Sequence, residues 1–210
     1  QVDYVEYKQV PEAEADASAW VFSSKTKFEQ IFFKFPPLAS NEVRARVLYT
    51  SLCHTDSAMG RGEWGDIKYP HCPGHEIVCQ ILRIGQDVHN VKVGEVVGFG
   101  PINRNCGKCK FCVKGWNQAC QNITFNDRFI QVKRFGGYAT HIQQPAETLV
   151  RFPAKLDITK VSPLLDAGLT VWVPMTSYLK KTDRVAFIGI GGLAHIGIKL
   201  AKVMAREVHA

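Results

Sequence analysis

The sequence predicts an α/β chain: a β-rich, barrel-like domain followed by the first strand, glycine turn and helix of a second domain. Three observations carry this reading. Short β segments recur at close spacing from about Trp20 onward. The pattern changes near Ser162, where a helix start replaces them. An apolar strand, a glycine turn and an amphipathic helix then follow in "DRVAFIGIGGLAHIGIKLAKVMA".

Residues 1–18 are acidic and alanine-rich without a clear period and read as an extension or a poorly ordered arm. The domain over 19–160 opens on short strands. In "EVRARVLY", Val43, Ala45, Val47 and Tyr49 alternate against Arg44 and Arg46, the mark of a half-buried strand. "EIVCQILRIG", "VKVGEVVGFG" and "GGYATHIQ" are further strands punctuated by glycine. In the segment over 161–210, Ser162 is a capping residue and Pro163 suits the first helical position, while Pro174 is expected to break or kink that helix.

The chain has 210 residues, 46% hydrophobic and 21% charged, ordinary for a globular protein with a real core. No run reaches the ~20 apolar residues of a membrane helix, so no membrane span is expected. The net charge is +7. Much of it lies between Arg104 and Arg134, where seven Lys or Arg face only Asp127. No basic block with interleaved aromatics of the nucleic-acid kind occurs, so a solvated basic loop is expected and no nucleic-acid partner. Seven cysteines without a secretory signal argue for a reducing compartment, the cytoplasm, and against a disulfide framework.

Cys106, Cys109, Cys112 and Cys120 form a C-x2-C-x2-C-x7-C array in "NCGKCKFCVKGWNQAC". Four soft thiolates at this spacing can close a tetrahedron around Zn²⁺. An iron–sulfur cluster and paired disulfides are the rivals, but the spacing departs from the ferredoxin run and no proline follows Cys120. Four protein ligands leave no open position, so such a zinc is structural.

Two other stretches offer ligands: "SLCHTD" with Cys53, and "YPHCPGHE" with His75 and Glu76. A third raises a question. In "PLLDAGLTVW", Asp166 stands alone among apolar and small residues, and a buried carboxylate must find a cation, a donor or water. A helix-terminus charge, an ion-pair partner and a metal ligand are all open.

The order of these motifs resembles the zinc-dependent medium-chain alcohol dehydrogenases, and most of all their cinnamyl alcohol dehydrogenase branch. "CHTD", "EWG…YP…PGHEIV", the cysteine loop, "GGYA", "PLLDAGLTV" and "GIGGLAHIGIKLAK" carry the resemblance from about Trp20 to the end of the chain. It implies a GroES-like catalytic domain over 19–160 with a structural-zinc loop, then the linking helix and opening strand–turn–helix of an incomplete Rossmann domain over 161–210. It implies a catalytic zinc on Cys53, His75 and Asp166, with Asp166 where the family usually has cysteine. Thr55 would hydrogen-bond the substrate oxygen, Asp56 would orient His75, Glu76 would sit behind the metal, and His54 would approach the cofactor phosphates.

The glycine turn "GIGGLA" supplies Gly189, Gly191, Gly192 and Leu193, with Ala194 at the third fingerprint position for close strand–helix packing. Such a turn between strand and helix suits a dinucleotide pyrophosphate. The branch implies NADP(H), but the residue that separates NADP from NAD lies ~20 positions beyond the turn. The chain reaches Ala210 as that next strand begins. The family's chains are much longer, and one strand plus one helix cannot cover its own apolar faces. Either more chain exists, or another subunit of a homo-oligomer or larger assembly supplies the cover.

Two departures bear on activity. The branch commonly continues its first motif with Leu-His, and that histidine passes a proton to solvent; here the pair is Ser57–Ala58. "HEIV" is followed by Cys79 where glycine is usual. The expected function is therefore interconversion of a primary alcohol and its aldehyde with NADP(H) or NAD(H). The alternative is a catalytically degenerate homologue that serves as a structural subunit.

Overall fold

The computed structural model describes residues 7–65, 67–125 and 135–210. Residues 1–6 of the expected extension, and Asp127, Arg128, Lys133 and Arg134 of the basic stretch, lie outside the described residues. The chain divides into two compact units, Gln1–Ser162 and Pro163–Ala210.

In the first unit the chain begins with β1 (Lys8–Gln9), a 3-10 turn at Glu12–Glu14, and the hairpin of β2 (Ala17–Ser24) and β3 (Lys27–Lys34). These strands form a sheet in the order β1-β3-β2. Residues 7–18 are therefore an ordered part of the fold and not a loose arm. The reason is non-local: the Tyr7 ring stacks on Phe135 at 4.5 Å and meets Phe33 edge-on at 5.2 Å, beneath an apolar cluster that includes Val21 and Ile31. The Asp16 carboxylate adds to this by accepting the Phe35 N–H at 3.0 Å.

The main sheet follows with β4 (Glu42–Thr50), helix α1 (His54–Gly60), β5 (Ile77–Ile84) and β6 (Val96–Phe99). Then come β7 (Ile102–Arg104), the short helix α2 (Lys110–Val113), β8 (Thr124–Phe125), β9 (His141–Pro145) and β10 (Leu149–Arg151). The strand order is β10-β6-β5-β4-β9, with β7 and β8 paired apart. Alternation in β4 places Val43 and Ala45 in the core with Ile77, Ile81, Val97, Phe99 and Ile142. Tyr49 departs from the expected pattern and is 40% exposed. The cause is a register shift against β5 between Val47 and Tyr49, which breaks the two-residue alternation. Cys79 is fully buried in this core, so the departure after "HEIV" is a packing residue, and burial pushes its thiol up to about 12.

The second unit holds α3 (Ala167–Tyr178), β11 (Arg184–Ala186), α4 (Gly192–Met204) and β12 (Glu207–His209). The expected helix start is displaced. Ser162–Leu165 forms a 3-10 turn, and the α-helix begins only after Asp166. Ser162 does not cap it, because its hydroxyl donates instead to the Glu76 carbonyl. Pro174 does not end α3, which runs on to Tyr178. The proline withholds one N–H from the ladder, and downstream the Thr176 and Ser177 hydroxyls bond back to the Val173 carbonyl at 3.0 and 2.8 Å.

Strands β11 and β12 pair in parallel across α4, a β–α–β unit. Gly189, in the turn before the helix, has φ +85, a conformation glycine adopts without strain. No helix among the described residues is long and apolar enough to cross a membrane.

Candidate metal centres and cofactor turn

Helix α1 explains how "CHTD" presents its side chains. Cys53 precedes the helix in an extended conformation, and Asp56, three residues on, accepts the Cys53 N–H at 2.9 Å. That reach-back is the acidic half of a capping box. It leaves the Cys53 thiol beyond the helix end and turns the Asp56 carboxylate inward, where it is 2% exposed.

The other Asp56 contacts come from distant segments. Oδ1 accepts the Gly74 N–H at 2.8 Å and lies 3.3 Å from Nδ1 of fully buried His75. Oδ2 accepts the Tyr138 hydroxyl at 3.2 Å. Burial alone would push the Asp56 carboxyl up, but His75 and the two backbone donors outweigh it and hold the group below its usual range. Burial, followed by the Asp56 charge, pushes the Tyr138 phenol up, so it stays protonated and able to donate.

His75 also reaches Cys53, and ligand atoms of the two lie within 4.8 Å of each other. The His75 hydrogen bond holds the Cys53 thiol below its ordinary range, against burial and with help from Thr55. A cysteine sulfur and an imidazole fixed through Nδ1 are donors that zinc takes, so the residues fit the metal. Thr55 is buried beside Cys53, and His54 is exposed at the start of α1. Ala58 is fully buried.

Glu76 is 2% exposed and accepts the Ser51 hydroxyl, which lies 3.0 Å from the Ser162 hydroxyl. Ser51 and Tyr138 are contacts that sequence reasoning missed. Neither has a local signature, although "GGYA" marked the segment that carries Tyr138. Asp166 lies in the second unit as the N-cap residue of α3, partly buried, and its side chain makes no capping hydrogen bond. Its carbonyl accepts the Thr170 N–H at 2.8 Å.

The four-cysteine loop is drawn together around α2. The Cys109 and Cys112 sulfurs are 3.6 Å apart, and those of Cys106 and Cys112 are 4.0 Å apart. A tetrahedron with Zn–S bonds of ~2.3 Å has edges of about 3.8 Å, between those two values. All four sulfurs lie within 4.8 Å of one another and none is in a disulfide. Backbone N–H groups aim at them, with Cys109 N to Cys106 Sγ at 3.3 Å and Cys106 N to Cys120 Sγ at 3.4 Å. Hydrogen bonds led by the Cys112 N–H hold the Cys109 thiol down to about 6. Desolvation and the neighbouring sulfurs push Cys112 up to about 12.

At the glycine turn, Gly191 and Gly192 are exposed, and a Cβ on either would meet nothing within 4 Å. Leu193 is exposed and Ala194 partly buried. Further along α4, Gly197 packs tightly against the strand side. A Cβ there would lie 2.5 Å from the Phe187 ring.

Residues 39–154, more than half of the chain, match the family described as alcohol dehydrogenase GroES-like domain. The chain belongs to that family. Its relatives include a cinnamyl alcohol dehydrogenase of Arabidopsis thaliana, 37% identical over 175 residues, 80% of this chain and 48% of the relative. An aldehyde reductase of Synechocystis sp. is 35% identical over 181 residues, 85% of this chain and 53% of the relative. A cinnamyl alcohol dehydrogenase structure from Sorghum bicolor superposes with a TM-score of 0.87 at 28% identity, covering 92% of this chain and 57% of that one. The structure of CAD from Helicobacter pylori complexed with NADP(H) superposes at 0.81 with 29% identity, covering 98% and 60%. The chain spans about half the length of the curated relatives it matches.

Proposed function

We propose that the protein is a zinc-dependent alcohol dehydrogenase that interconverts a primary alcohol and its aldehyde by hydride transfer with NADP(H) or NAD(H). The observation that carries this is the Asp56–His75–Cys53 constellation, with its buried, oriented imidazole and lowered thiol. Residues 19–160 supply the catalytic domain and 161–210 the start of the cofactor domain. Cys53, His75 and Asp166 hold the catalytic zinc, and the four-cysteine loop holds a structural one. Asp166 keeps the charge of the thiolate usual at its position, and oxygen is an accepted zinc donor. Its Oδ1 accepts the Thr170 hydroxyl at 3.4 Å.

When bound, the catalytic zinc supplies a Lewis-acid position that makes an alcohol easier to deprotonate. Asp56 holds the His75 ring by its Nδ1 edge. Thr55, buried beside Cys53, would hydrogen-bond the substrate oxygen through its own hydroxyl. His54, exposed at the helix start, meets the cofactor phosphates. The turn of Gly189, Gly191, Gly192, Leu193 and Ala194 takes the pyrophosphate; Gly191 and Gly192 leave their backbone open to it. Glu76, held by Ser51, stands behind the metal. The substrate is a small alcohol or aldehyde, the assembly a homo-oligomer, and the compartment the reducing cytoplasm, in line with the free cysteines.

One observation favours a second reading. Ala58 is fully buried where the branch carries a relay histidine, so the protein could serve as a structural subunit without turnover. The test is nicotinamide-linked turnover over a panel of primary alcohols and aldehydes, with metal content measured on the same sample. Turnover that a chelator abolishes supports the enzyme. Protein carrying both metals but inactive across the panel overturns it.

A further inference from the structure

The segment 136–138 lies directly against 72–74. Gly136 N donates to the Cys72 carbonyl at 3.0 Å, Gly137 N to the Gly74 carbonyl at 2.8 Å, and Tyr138 N to the Pro73 carbonyl at 3.1 Å. A Cβ on Gly74, where φ is +102, would lie 2.6 Å from the Gly137 nitrogen, and one on Gly136 would lie 2.3 Å from the Pro73 carbonyl oxygen. The two backbones can touch only because glycine stands at both places. From the other side, Trp20 N donates to the Tyr138 carbonyl at 2.8 Å. Tyr138 is thus gripped on both edges, and its hydroxyl is delivered to Asp56.

The Asp56 carboxylate turns about a terminal torsion that is intrinsically soft, so its orientation is set by what it bonds. Each oxygen has two partners: Oδ1 takes Gly74 N–H and faces His75, while Oδ2 takes Cys53 N–H and the Tyr138 hydroxyl. The geometry points to Tyr138 as a positioning residue whose hydroxyl fixes the Asp56 carboxylate and, through it, the ring of His75 as a metal ligand. This role rests on the catalytic-metal reading above. It needs the oxygen of Tyr138 and not merely its ring, which packs against the Val21–Phe33 cluster.

The experiment compares wild-type protein with Tyr138→Phe and Tyr138→Leu. Two quantities are read: retention of each bound zinc against a chelator, and the His75 tautomer by nitrogen NMR of metal-free protein. The four-cysteine site is an internal control for folding. In Tyr138→Phe, the metal at Cys53 and His75 is expected to be held about tenfold less tightly, at the low end for an outer-shell change. The four-cysteine metal should be unaffected, and His75 should lose part of its Nδ1–H tautomer. A Tyr138→Phe protein matching wild type in both readouts overturns the inference, and loss confined to Tyr138→Leu overturns it in favour of ring packing. A wild-type protein that takes no metal at Cys53 and His75 overturns the catalytic-metal reading instead, and the His75 tautomer still decides Tyr138.

Discussion

Gly197 of α4 faces the Phe187 ring so closely that a Cβ on it would lie 2.5 Å from Cε1 and 3.0 Å from Cζ. Gly191, six residues earlier, has no atom within 4 Å of the same position. The two glycines therefore do different things. Gly197→Ala should cost about 1–3 kcal/mol through overpacking, read as a lower urea midpoint. Gly191→Ala should leave the stability within about 0.5 kcal/mol of wild type while weakening nicotinamide dinucleotide binding by calorimetry. Equal stability of the two variants would contradict the packing account.

Asp166 separates two accounts of the opening of α3. If it ligates zinc, Asp166→Ala lowers the metal content by one per chain and leaves the four-cysteine metal in place, while Asp166→Cys keeps both. If it is only a helix-end charge, Asp166→Ala keeps both metals and loses about 0.3–1 kcal/mol of stability. Mass spectrometry under native conditions reads the count directly.

The four-cysteine loop makes a sharper demand. Structural zinc sites of this type contribute about 10–16 kcal/mol of binding free energy, coupled to folding. Cys109→Ser should release the loop metal and lower the melting temperature, and strong chelators should do the same to wild type. Retention of zinc at both sites in Cys109→Ser would rule out the tetrahedral assignment.

Acid should weaken the site through Asp56. Its folded value lies below the ordinary one of ~3.9, so its contribution is complete above about pH 4. It is lost as the pH falls through the lower folded value. The urea midpoint of wild type should drop over that range, and Asp56→Asn should show a flatter profile. The same substitution should cost about 1–3 kcal/mol near neutrality, because an amide cannot serve the donors that converge there. An unchanged acid slope in Asp56→Asn would place the acid sensitivity elsewhere.

Local pattern makes much of this molecule legible in its sequence. The spacing of Cys106, Cys109, Cys112 and Cys120 is a local property, and their sulfurs do converge. Alternation placed Val43 and Ala45 inside, and it failed at Tyr49 because a bulge against β5 cannot be seen in one strand alone. Ser162 and Pro163 have the chemistry of a helix start, yet the Ser162 hydroxyl is drawn to Glu76, and the first turn tightens into a 3-10 form. The order of residues 7–18 rests on Tyr7 meeting Phe33 and Phe135. Tyr138 on Asp56 and Gly197 on Phe187 likewise exist only once distant or successive elements have packed.

The close crossing of 72–74 by 136–138 has a consequence for the order of folding. Tyr138 and Asp56 are 82 positions apart in the chain, whereas the four thiols lie within one short loop. Contacts of large sequence separation must wait for loop closure, so they form late and set a slow pace. The cysteine loop can capture an ion on a nascent chain, while the Tyr138 hydroxyl reaches the Asp56 carboxylate only at a late stage of assembly. Under the zinc assignment proposed above, a refolding chain should therefore take up the loop metal before the metal at Cys53 and His75.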